Sequence, residues 1–375
     1  YLNDIAYSHK PPLLFWLINL GWHLFGVSDW WARMVPAIFG LGAMLLTRSI
    51  ALRLWPASTQ SNGKNKIAER AAWILLSTSI WAVFSTATMF DMMVAFFTTL
   101  GMLGLILAIQ GLGLRAWGIF ALAIAGGLLA KGPTILLQLL PVAILMPWVM
   151  ATSWPYPSKR VWYGPLFFAT LAGILILLMW AIPAGILGGA QYQHEIFWGQ
   201  TADRMVQSFA HRRPVYWYLP MLPIMLFPWL FALPIWRSLA KAKGLMQEVG
   251  VRFCMAWFVP VFIAFSFISG KQPHYLLPIV PAFALLAARG WQELHDIDWL
   301  DRLLPGVVAV IVGGILLYLP SYHQHHYLAR WVENIPTFAG MTMILGGVFS
   351  MLASKHKNQY LEGMTLLGVL ALVVL

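Results

Sequence analysis

Charged residues are scarce in this sequence. They make up only 10% of the 375 residues, whereas 60% are hydrophobic and 20 residues are tryptophan. The mean hydropathy is correspondingly high, at +0.73. This composition excludes a soluble domain and indicates a protein that lies within a membrane.

Cysteine and the common catalytic motifs are also nearly or wholly missing. The one cysteine, Cys254, lies inside an apolar run, which excludes a disulfide framework. No P-loop, GxSxG, HExxH or dinucleotide-binding fingerprint occurs. The sequence therefore offers no entry point for energy from ATP, and we expect no nucleic-acid partner.

Long apolar runs are what the sequence has in abundance. About 20 apolar residues span a bilayer core as a helix, and only helices or closed barrels can cross it. The runs lack the two-residue alternation of barrel strands. The sequence thus predicts an all-α, polytopic transmembrane helical bundle with about 12 spans. These lie near residues 31–55, 71–90, 92–112, 116–130, 133–150, 163–187, 217–236, 253–269, 275–290, 304–320, 338–353 and 360–375.

The remaining residues are assigned to loops of a single transmembrane domain that covers residues 1–375. Residues 1–30 are predicted to form an outside loop with an interfacial helix. The apolar stretch 13–25 is only about 20 Å long at 1.5 Å per residue, and Trp16 and Trp22 are typical of a membrane–water interface. Residues 188–216 form the longest predicted outside loop. Because the chain begins within a loop and ends within an apolar run, we expect it to be truncated at both ends.

Lysine and arginine determine the predicted orientation. With residues 1–12 outside, sixteen of the 24 cations fall on the inside and eight on the outside, as the positive-inside rule requires. The outside cations are Lys10, Arg33, Lys131, Arg204, Arg212, Arg213, Lys271 and Arg330. The outside acids are fewer, namely Asp4, Asp29, Asp91, Glu195, Asp203 and Glu333. The outer face is therefore predicted to be electropositive.

Six of the eight outside cations belong to the short motifs HKPP, AKGP, ADRM, HRRP and GKQPHY. Proline lacks an N–H group and disfavours helix at the preceding residue, so the proline motifs predict rigid breaks where helices meet the interface. Irregular backbone is tolerated at that depth where it lines a cavity. Several Lys and Arg side chains in such a cavity suit a phosphate or diphosphate group.

Each of these residues also has a plainer interpretation. Lys131 or Lys271 alone could be an anchor whose ammonium snorkels to the interface. Asp91, flanked by apolar residues in TATMFDMMVAFF, is interpreted as functional, with a helix cap as the alternative. His9 and His211 are candidate metal ligands or ordinary loop residues, which leaves a divalent metal cofactor open.

Five segments together carry a resemblance to a known family. YSHKPPLLFWLINLGWHLFGVSDWWARMVPAIFG is similar to a first-loop motif, although His9 stands where the family usually has an acid. FDMMVAFFTTL, LLAKGPTILLQLLP, HRRPVYWYLPMLPIMLFPW and SGKQPHYLLPIVPAFALLAARGW follow in the family's order. The chain resembles, over roughly residues 1–291, the bacterial branch of the protein-mannosyltransferase and aminoarabinose (lipid A) transferase superfamily.

The resemblance implies a membrane glycosyltransferase of the GT-C fold. It implies a polyprenyl-phosphate-linked sugar as donor, a lipid such as lipid A or a protein as acceptor, and inversion of the anomeric centre. The reaction would take place at the outer face of the bacterial cytoplasmic (inner) membrane. The family also has a first span and an acidic residue before the first-loop motif. We expect both upstream of this chain. In the aminoarabinose-transferase branch of the family, an outside soluble domain follows the spans.

The departing phosphate needs positive charge, because pre-placed cations stabilise charge that develops in the transition state. We predict catalytic roles for Asp91, which orients or deprotonates the acceptor, and for Lys10. The predicted substrate-binding residues are Lys131, Arg204, Arg212, Lys271, His274 and Tyr275.

Three other functions stay open. A transporter or lipid flippase predicts charges near the midplane and repeated halves, a non-catalytic assembly subunit needs no cation cluster, and a glycan ligase uses a diphosphate donor.

Overall fold

The computed structural model describes residues 10–56, 65–150, 159–199, 213–294, 297–326, 335–352 and 357–374. These residues form helices and no β-sheet, which confirms the all-α class. The α-helices are α1 Leu13–Phe25, α2 Asp29–Leu54, α3 Lys66–Leu76, α4 Ser79–Thr86, α5 Asp91–Ile109, α6 Leu114–Lys131, α7 Thr134–Met150, α8 Lys159–His194, α9 Tyr218–Met225, α10 Leu233–Lys241, α11 Val249–Phe267, α12 Val280–Gln292, α13 Trp299–His326, α14 Thr337–Leu352 and α15 Lys357–Val374.

Every predicted span has a helical counterpart, but the number of twelve is not confirmed. Six described helices are long and apolar enough to cross a membrane, or seven if the bent pair α3 and α4 counts as one span. Proline explains much of the difference between the twelve predicted spans and the six or seven helices that are long enough to cross a membrane. Residues 217–236 contain four prolines and divide into α9, a 3-10 turn at Trp229–Phe231 and α10. Residues 275–290 begin as the 3-10 segment Pro273–Ile279 before α12.

The polar groups at the break between α3 and α4 bind to the interrupted segment 217–236. The two helices meet at an angle of 62°. Ser79 Oγ donates to the carbonyl oxygen of Met225 at 2.9 Å, and Trp229 Nε1 donates to Ser77 Oγ at 3.0 Å. Polar groups freed at a helix break must find partners within the protein, because lipid offers none. The two broken segments satisfy each other in this way.

Helix α5 lies at the centre of the bundle. In its most apolar window 72% of the residues are buried, against 22% for the peripheral helices α8 and α13. Helices α5 and α6 are close antiparallel neighbours. A Cβ atom on Gly104 would lie 3.1 Å from the backbone nitrogen of Phe120, so glycine permits this approach. As a result, the first residue of α5, Asp91, and the last residue of α6, Lys131, lie at the same end of the bundle.

The two predicted outside loops agree with the structure in part. Helix α1 forms over the residues assigned to the interfacial helix, and Trp31 Nε1 donates to the Leu17 carbonyl to hold it against α2. Its place at an interface stays a prediction. The predicted loop 188–216 begins beside a break in α8, because the backbone of Gly189 is not helical (φ 85°, ψ 170°). Helical residues then continue to His194 and a π-helical turn, Glu195–Gly199, follows. The position of this segment outside the membrane stays a prediction.

A second set of ion pairs lies at the opposite end of the bundle. Arg289 pairs with Glu248 and Glu293, and Trp55 Nε1 donates to Glu248 at 3.0 Å. Burial alone would raise the pKa of Glu248, but the hydrogen bonds from Arg289 and Trp55 outweigh it and hold the pKa below its ordinary value. These groups join the ends of α2, α11 and α12 and have a structural role.

Candidate active site

The centre of the site is an ion pair between two helix ends. Lys131 Nζ donates to Asp91 Oδ1, and the side chains of Lys131 and Asp91 are only 13% and 5% exposed. Gly132, with φ +81°, ends α6 directly after Lys131 and turns the chain into α7. Asp91 opens α5, where the helix dipole favours negative charge.

This geometry bears on the helix-cap interpretation of Asp91. The N-cap residue of α5 is Phe90, and no side chain caps this helix end. The Asp91 carboxylate is directed to Lys131 of another helix, so it does not act as the cap. The chemical role of Asp91 stays a prediction, which the nearly buried position of the pair at a helix end favours.

His274 and Tyr275 complete the group from the opposite side. His274 Nε2 lies 3.9 Å from Asp91 Oδ2, and Lys131 Nζ lies 4.4 Å from the centroid of the Tyr275 ring. Both residues belong to the 3-10 segment Pro273–Ile279, and the His274 ring also packs against Phe84 at 5.3 Å. Three motifs that are far apart in sequence, FDMMVAFF, LLAKGP and GKQPHY, therefore meet at one place.

Lys10 lies beside this group. Its Nζ is 5.9 Å from the centroid of the Phe90 ring, and Phe90 directly precedes Asp91. The Phe90 ring packs in turn against Phe15 of α1 at 5.7 Å. The structure thus brings together Lys10, Asp91, Lys131, His274 and Tyr275, five of the predicted site residues. We call these five residues the Asp91 cluster.

Lys271 has a different environment from the one expected. The residue is only 2% exposed, and its ammonium donates to the main-chain carbonyls of Arg213, at 3.0 Å, and Ile268, at 2.5 Å. A snorkelling anchor would extend its ammonium to the surface, so that alternative does not describe Lys271. Its predicted contact with substrate stays a prediction, since both acceptors present are backbone atoms.

Two side chains that sequence reasoning missed hold the segment that carries His274 and Tyr275. Tyr218 donates its hydroxyl to the Gln272 carbonyl at 3.2 Å, and Gln138 Nε2 lies 3.4 Å from the Tyr275 carbonyl. The sequence could have indicated a role for Gln138, because it is a polar residue within an apolar span. Tyr218 had only its place within the motif HRRPVYWYLP.

Four predicted residues lie outside the residues that the structure describes. These are Arg204 and Arg212, predicted to bind substrate, and His9 and His211, the candidate metal ligands. Within the described ranges no group of three or more histidine, cysteine, aspartate or glutamate side chains is placed to hold a metal ion. The metal prediction therefore stays a prediction.

The Asp91 cluster combines a carboxylate with two lysines, an imidazole and a phenol. Cations of this kind can neutralise a phosphate, and a phenol can donate a hydrogen bond to it. A carboxylate whose second oxygen lies 3.9 Å from an imidazole can accept a hydrogen bond from a hydroxyl group. The same site could thus hold an anionic leaving group and a neutral nucleophile.

A family model supports the resemblance on which these roles depend. The model for dolichyl-phosphate-mannose-protein mannosyltransferase matches residues 3–196, a little over half of the chain. The chain belongs to this family. The matched residues include Lys10, Asp91 and Lys131, whereas His274 and Tyr275 lie beyond them.

Individual relatives agree with the family assignment. The chain is 27% identical over 358 residues to an undecaprenyl phosphate-alpha-4-amino-4-deoxy-L-arabinose arabinosyl transferase of Pectobacterium atrosepticum, with 91% of this chain and 61% of the relative aligned. It is 30% identical over 337 residues to the protein of that name from Edwardsiella ictaluri, with 85% and 57% aligned. The chain thus spans about three fifths of the length of these curated relatives.

A solved structure shows that the fold is shared as well. The crystal structure of ArnT from Cupriavidus metallidurans bound to undecaprenyl phosphate superposes with a TM-score of 0.70 at 20% identity, and the match covers 99% of this chain and 68% of that one. Together with the six apolar helices, this confirms a polytopic, GT-C-like helical bundle. This member of the mannosyltransferase family is an integral membrane protein.

Proposed function

We propose that this chain is the membrane domain of a glycosyltransferase. The enzyme moves a hexose or pentose from a polyprenyl-phosphate donor to a hydroxyl group of a lipid or protein acceptor. The observation that carries the proposal is the Asp91–Lys131 pair, because it places a carboxylate and a cation together at one end of the bundle. The names of the relatives supply the class of donor, a sugar linked to undecaprenyl phosphate.

The chemistry is a single displacement at the anomeric carbon. The acceptor oxygen forms the new bond to this carbon, while the bond from the carbon to the phosphate oxygen breaks and its electron pair leaves with the polyprenyl phosphate. Attack from the face opposite the phosphate inverts the anomeric centre. Asp91 accepts the hydrogen bond of the attacking hydroxyl through Oδ2 and takes up its proton.

The cations act on the other side of the reaction. Lys10 and Lys131 stabilise the negative charge that grows on the phosphate as the glycosidic bond breaks, and the Tyr275 hydroxyl donates a hydrogen bond to it. Arg204 and Arg212 are proposed to contribute further positive charge, as the sequence motifs predict. Lys131 also holds Asp91 Oδ1, which leaves Oδ2 directed to His274 and to the acceptor.

The active site is proposed to face the outside of the bacterial inner membrane. The excess of Lys and Arg on the predicted inside loops favours this orientation. The Asp91 cluster lies at the start of α5 and the end of α6, which is the end assigned to the outside, whereas the Glu248–Arg289 pair lies at the inside end.

A transporter or lipid flippase is the second candidate, and the geometry favours it less. A coupling-ion site is expected near the bilayer midplane. The Asp91–Lys131 pair instead lies at helix termini, and the polar breaks between α3 and α4 are closed by Ser77, Ser79 and Trp229.

The test is a transfer assay with the full-length protein in membranes. A radiolabelled sugar on undecaprenyl phosphate is supplied with lipid A, and labelled lipid product is separated by chromatography. We expect product with the wild type and at least a hundredfold less with Asp91→Asn, the loss typical of removing a general base. Asp29→Asn, which changes an outside acid at the start of α2, is the matched control.

Two outcomes of this assay would count against the proposal. Ion-dependent uptake of the lipid without any labelled product would support the transporter. Equal loss of product in Asp91→Asn and Asp29→Asn would show that outside acids matter only for folding or insertion.

A further inference from the structure

Lys271 is a buried cation without an acidic partner among the described residues. Its residue exposure is 2%, and none of the ion pairs in the described ranges includes it. Burial lowers the pKa of its ammonium below the ordinary value, because desolvation disfavours the charged form. An arrangement this costly needs a reason beyond membrane anchoring.

The two acceptors of Lys271 belong to two different segments of the chain. One is the carbonyl of Ile268, at the end of α11. The other is the carbonyl of Arg213, which lies 58 residues before Lys271 in sequence. Next to these bonds, the backbone N–H of Arg213 donates to the Ser269 carbonyl at 3.0 Å. The Tyr218 hydroxyl adds a bond to the carbonyl of Gln272. We name this set of bonds the Lys271 clamp.

The clamp lies directly before two short helical segments, one of which carries His274 and Tyr275. Arg213 is followed by Pro214 and the 3-10 turn Val215–Trp217, and Gln272 is followed by Pro273 and the 3-10 segment Pro273–Ile279. Pro214 and Pro273 restrict the backbone directly after Arg213 and Gln272. Ammonium and prolines together therefore determine how the two short helices begin.

We propose that Lys271 is a positioning residue that joins the backbone of Arg213 to the GKQPHY motif and thereby orients His274 and Tyr275 within the Asp91 cluster. In one direction the clamp fixes His274 and Tyr275, which are three and four residues beyond Lys271. In the other direction it holds the backbone of Arg213. Lys271 thus acts through the backbone, and its link to sugar transfer depends on the proposed function.

The substitutions at Lys271 separate a clamp from a direct phosphate contact. Lys271→Gln keeps neutral N–H donors of similar reach, Lys271→Met keeps the shape without donors, and Lys271→Arg keeps the charge in a larger group. A clamp requires donors and a fit to the buried space, so glutamine should preserve function best. A phosphate contact requires charge, so arginine should preserve it best.

The first measurement is hydrogen exchange on the full-length protein in lipid nanodiscs. We expect Lys271→Met to speed exchange at the Arg213 amide roughly tenfold or more, the size expected for losing hydrogen bonds to a charged donor. Lys271→Gln should have a smaller effect, and Lys241→Met, which changes an exposed lysine at the inside end, should have none. Peptides from α5 report whether the bundle itself stays folded. Unchanged exchange at Arg213 in Lys271→Met would overturn the clamp.

The second measurement is rescue by a covalent link. Arg213 and Ser269 are joined by a backbone hydrogen bond, so Arg213→Cys with Ser269→Cys offers a disulfide in place of the clamp. Cys254, the one cysteine of this sequence, is buried, and cysteines elsewhere in the full-length protein are first replaced by serine. In the Lys271→Met background, oxidation should restore slow exchange and sugar transfer, and reduction should remove both.

The outcomes keep the clamp and the proposed function distinguishable. If the wild type transfers no sugar, the proposed function fails while the exchange data still test the clamp. If oxidation slows exchange without restoring transfer, or if only Lys271→Arg retains transfer and donor affinity, the positioning role is wrong and Lys271 contacts the donor phosphate directly.

Discussion

Removing the charges of Asp91 and Lys131 one at a time and then together should separate stability from activity. Losing one partner of a buried ion pair costs about 3–5 kcal/mol, because the other charge stays buried without compensation. Here the remaining charge keeps some support, since Lys131 lies over the Tyr275 ring and Asp91 faces His274. We therefore expect each of Asp91→Asn and Lys131→Met to lower the free energy of unfolding by about 2–3 kcal/mol.

The double substitution should be less harmful than the sum of the two. A neutral amide beside a methionine leaves no buried charge, so the coupling energy should reach about 2 kcal/mol. Unfolding is followed by tryptophan fluorescence during titration with a denaturing detergent. Sugar transfer is measured on the same samples, and it should stay lost in the double variant even though stability largely returns.

A control pair at the other end of the bundle completes the design. Arg237 Nη2 donates to both carboxylate oxygens of Asp301, and the Asp301 side chain is 1% exposed whereas that of Arg237 is 50% exposed. Arg237→Met and Asp301→Asn should also couple in stability, but the folded fraction should transfer sugar normally. If the Asp91 and Lys131 substitutions add without coupling, or if the double variant regains transfer along with stability, the pair is structural and the reasoning fails.

Three further predictions follow from the site and the two ends of the bundle. Lys10→Ala should reduce transfer on the order of 10²–10³-fold with near-normal expression, whereas Arg33→Ala should not; wild-type turnover would make Lys10 an anchor. Cysteines placed at Ser61 and Gln272 should be labelled from opposite sides of the membrane, and labelling of both from one side would reverse the topology. The lowered pKa of Glu248 stabilises the fold above the ordinary Glu pKa of about 4.3 and should cease to do so as pH falls from there through the lower folded value. Glu248→Gln should flatten that acid dependence in thermal melts, and an unchanged profile would assign it to other groups.

Much of the fold and of the site could be predicted from the sequence. The apolar runs identified the helices, because the bilayer requires both length and internally satisfied backbone. Because successive spans cross the membrane in opposite directions, the sequence predicted that FDMMVAFF, LLAKGP and GKQPHY lie on the same side of the membrane. The structure then brings Asp91, Lys131, His274 and Tyr275 into contact at that end.

The sequence could not show how individual cations are used. Lys131 and Lys271 stand in similar motifs, yet Lys131 pairs with a carboxylate and Lys271 donates to backbone carbonyls. The sequence could not show this, because one acceptor of Lys271 lies in a segment 58 residues away. The number of membrane spans could also not be predicted from the sequence. Proline interrupts an apolar run without changing its hydropathy, as at 217–236. Hydropathy also did not reveal that helical residues resume after the break at Gly189 and reach His194.

The most direct test of the account compares donor binding with single-turnover transfer in the full-length Asp91→Asn variant. The account predicts that this variant binds undecaprenyl phosphate as tightly as the wild type or more tightly, because a carboxylate repels phosphate. It also predicts that the variant transfers the labelled sugar at least about a hundredfold more slowly. Transfer at the wild-type rate by Asp91→Asn would contradict a chemical role for Asp91 and leave its pair with Lys131 as a structural contact.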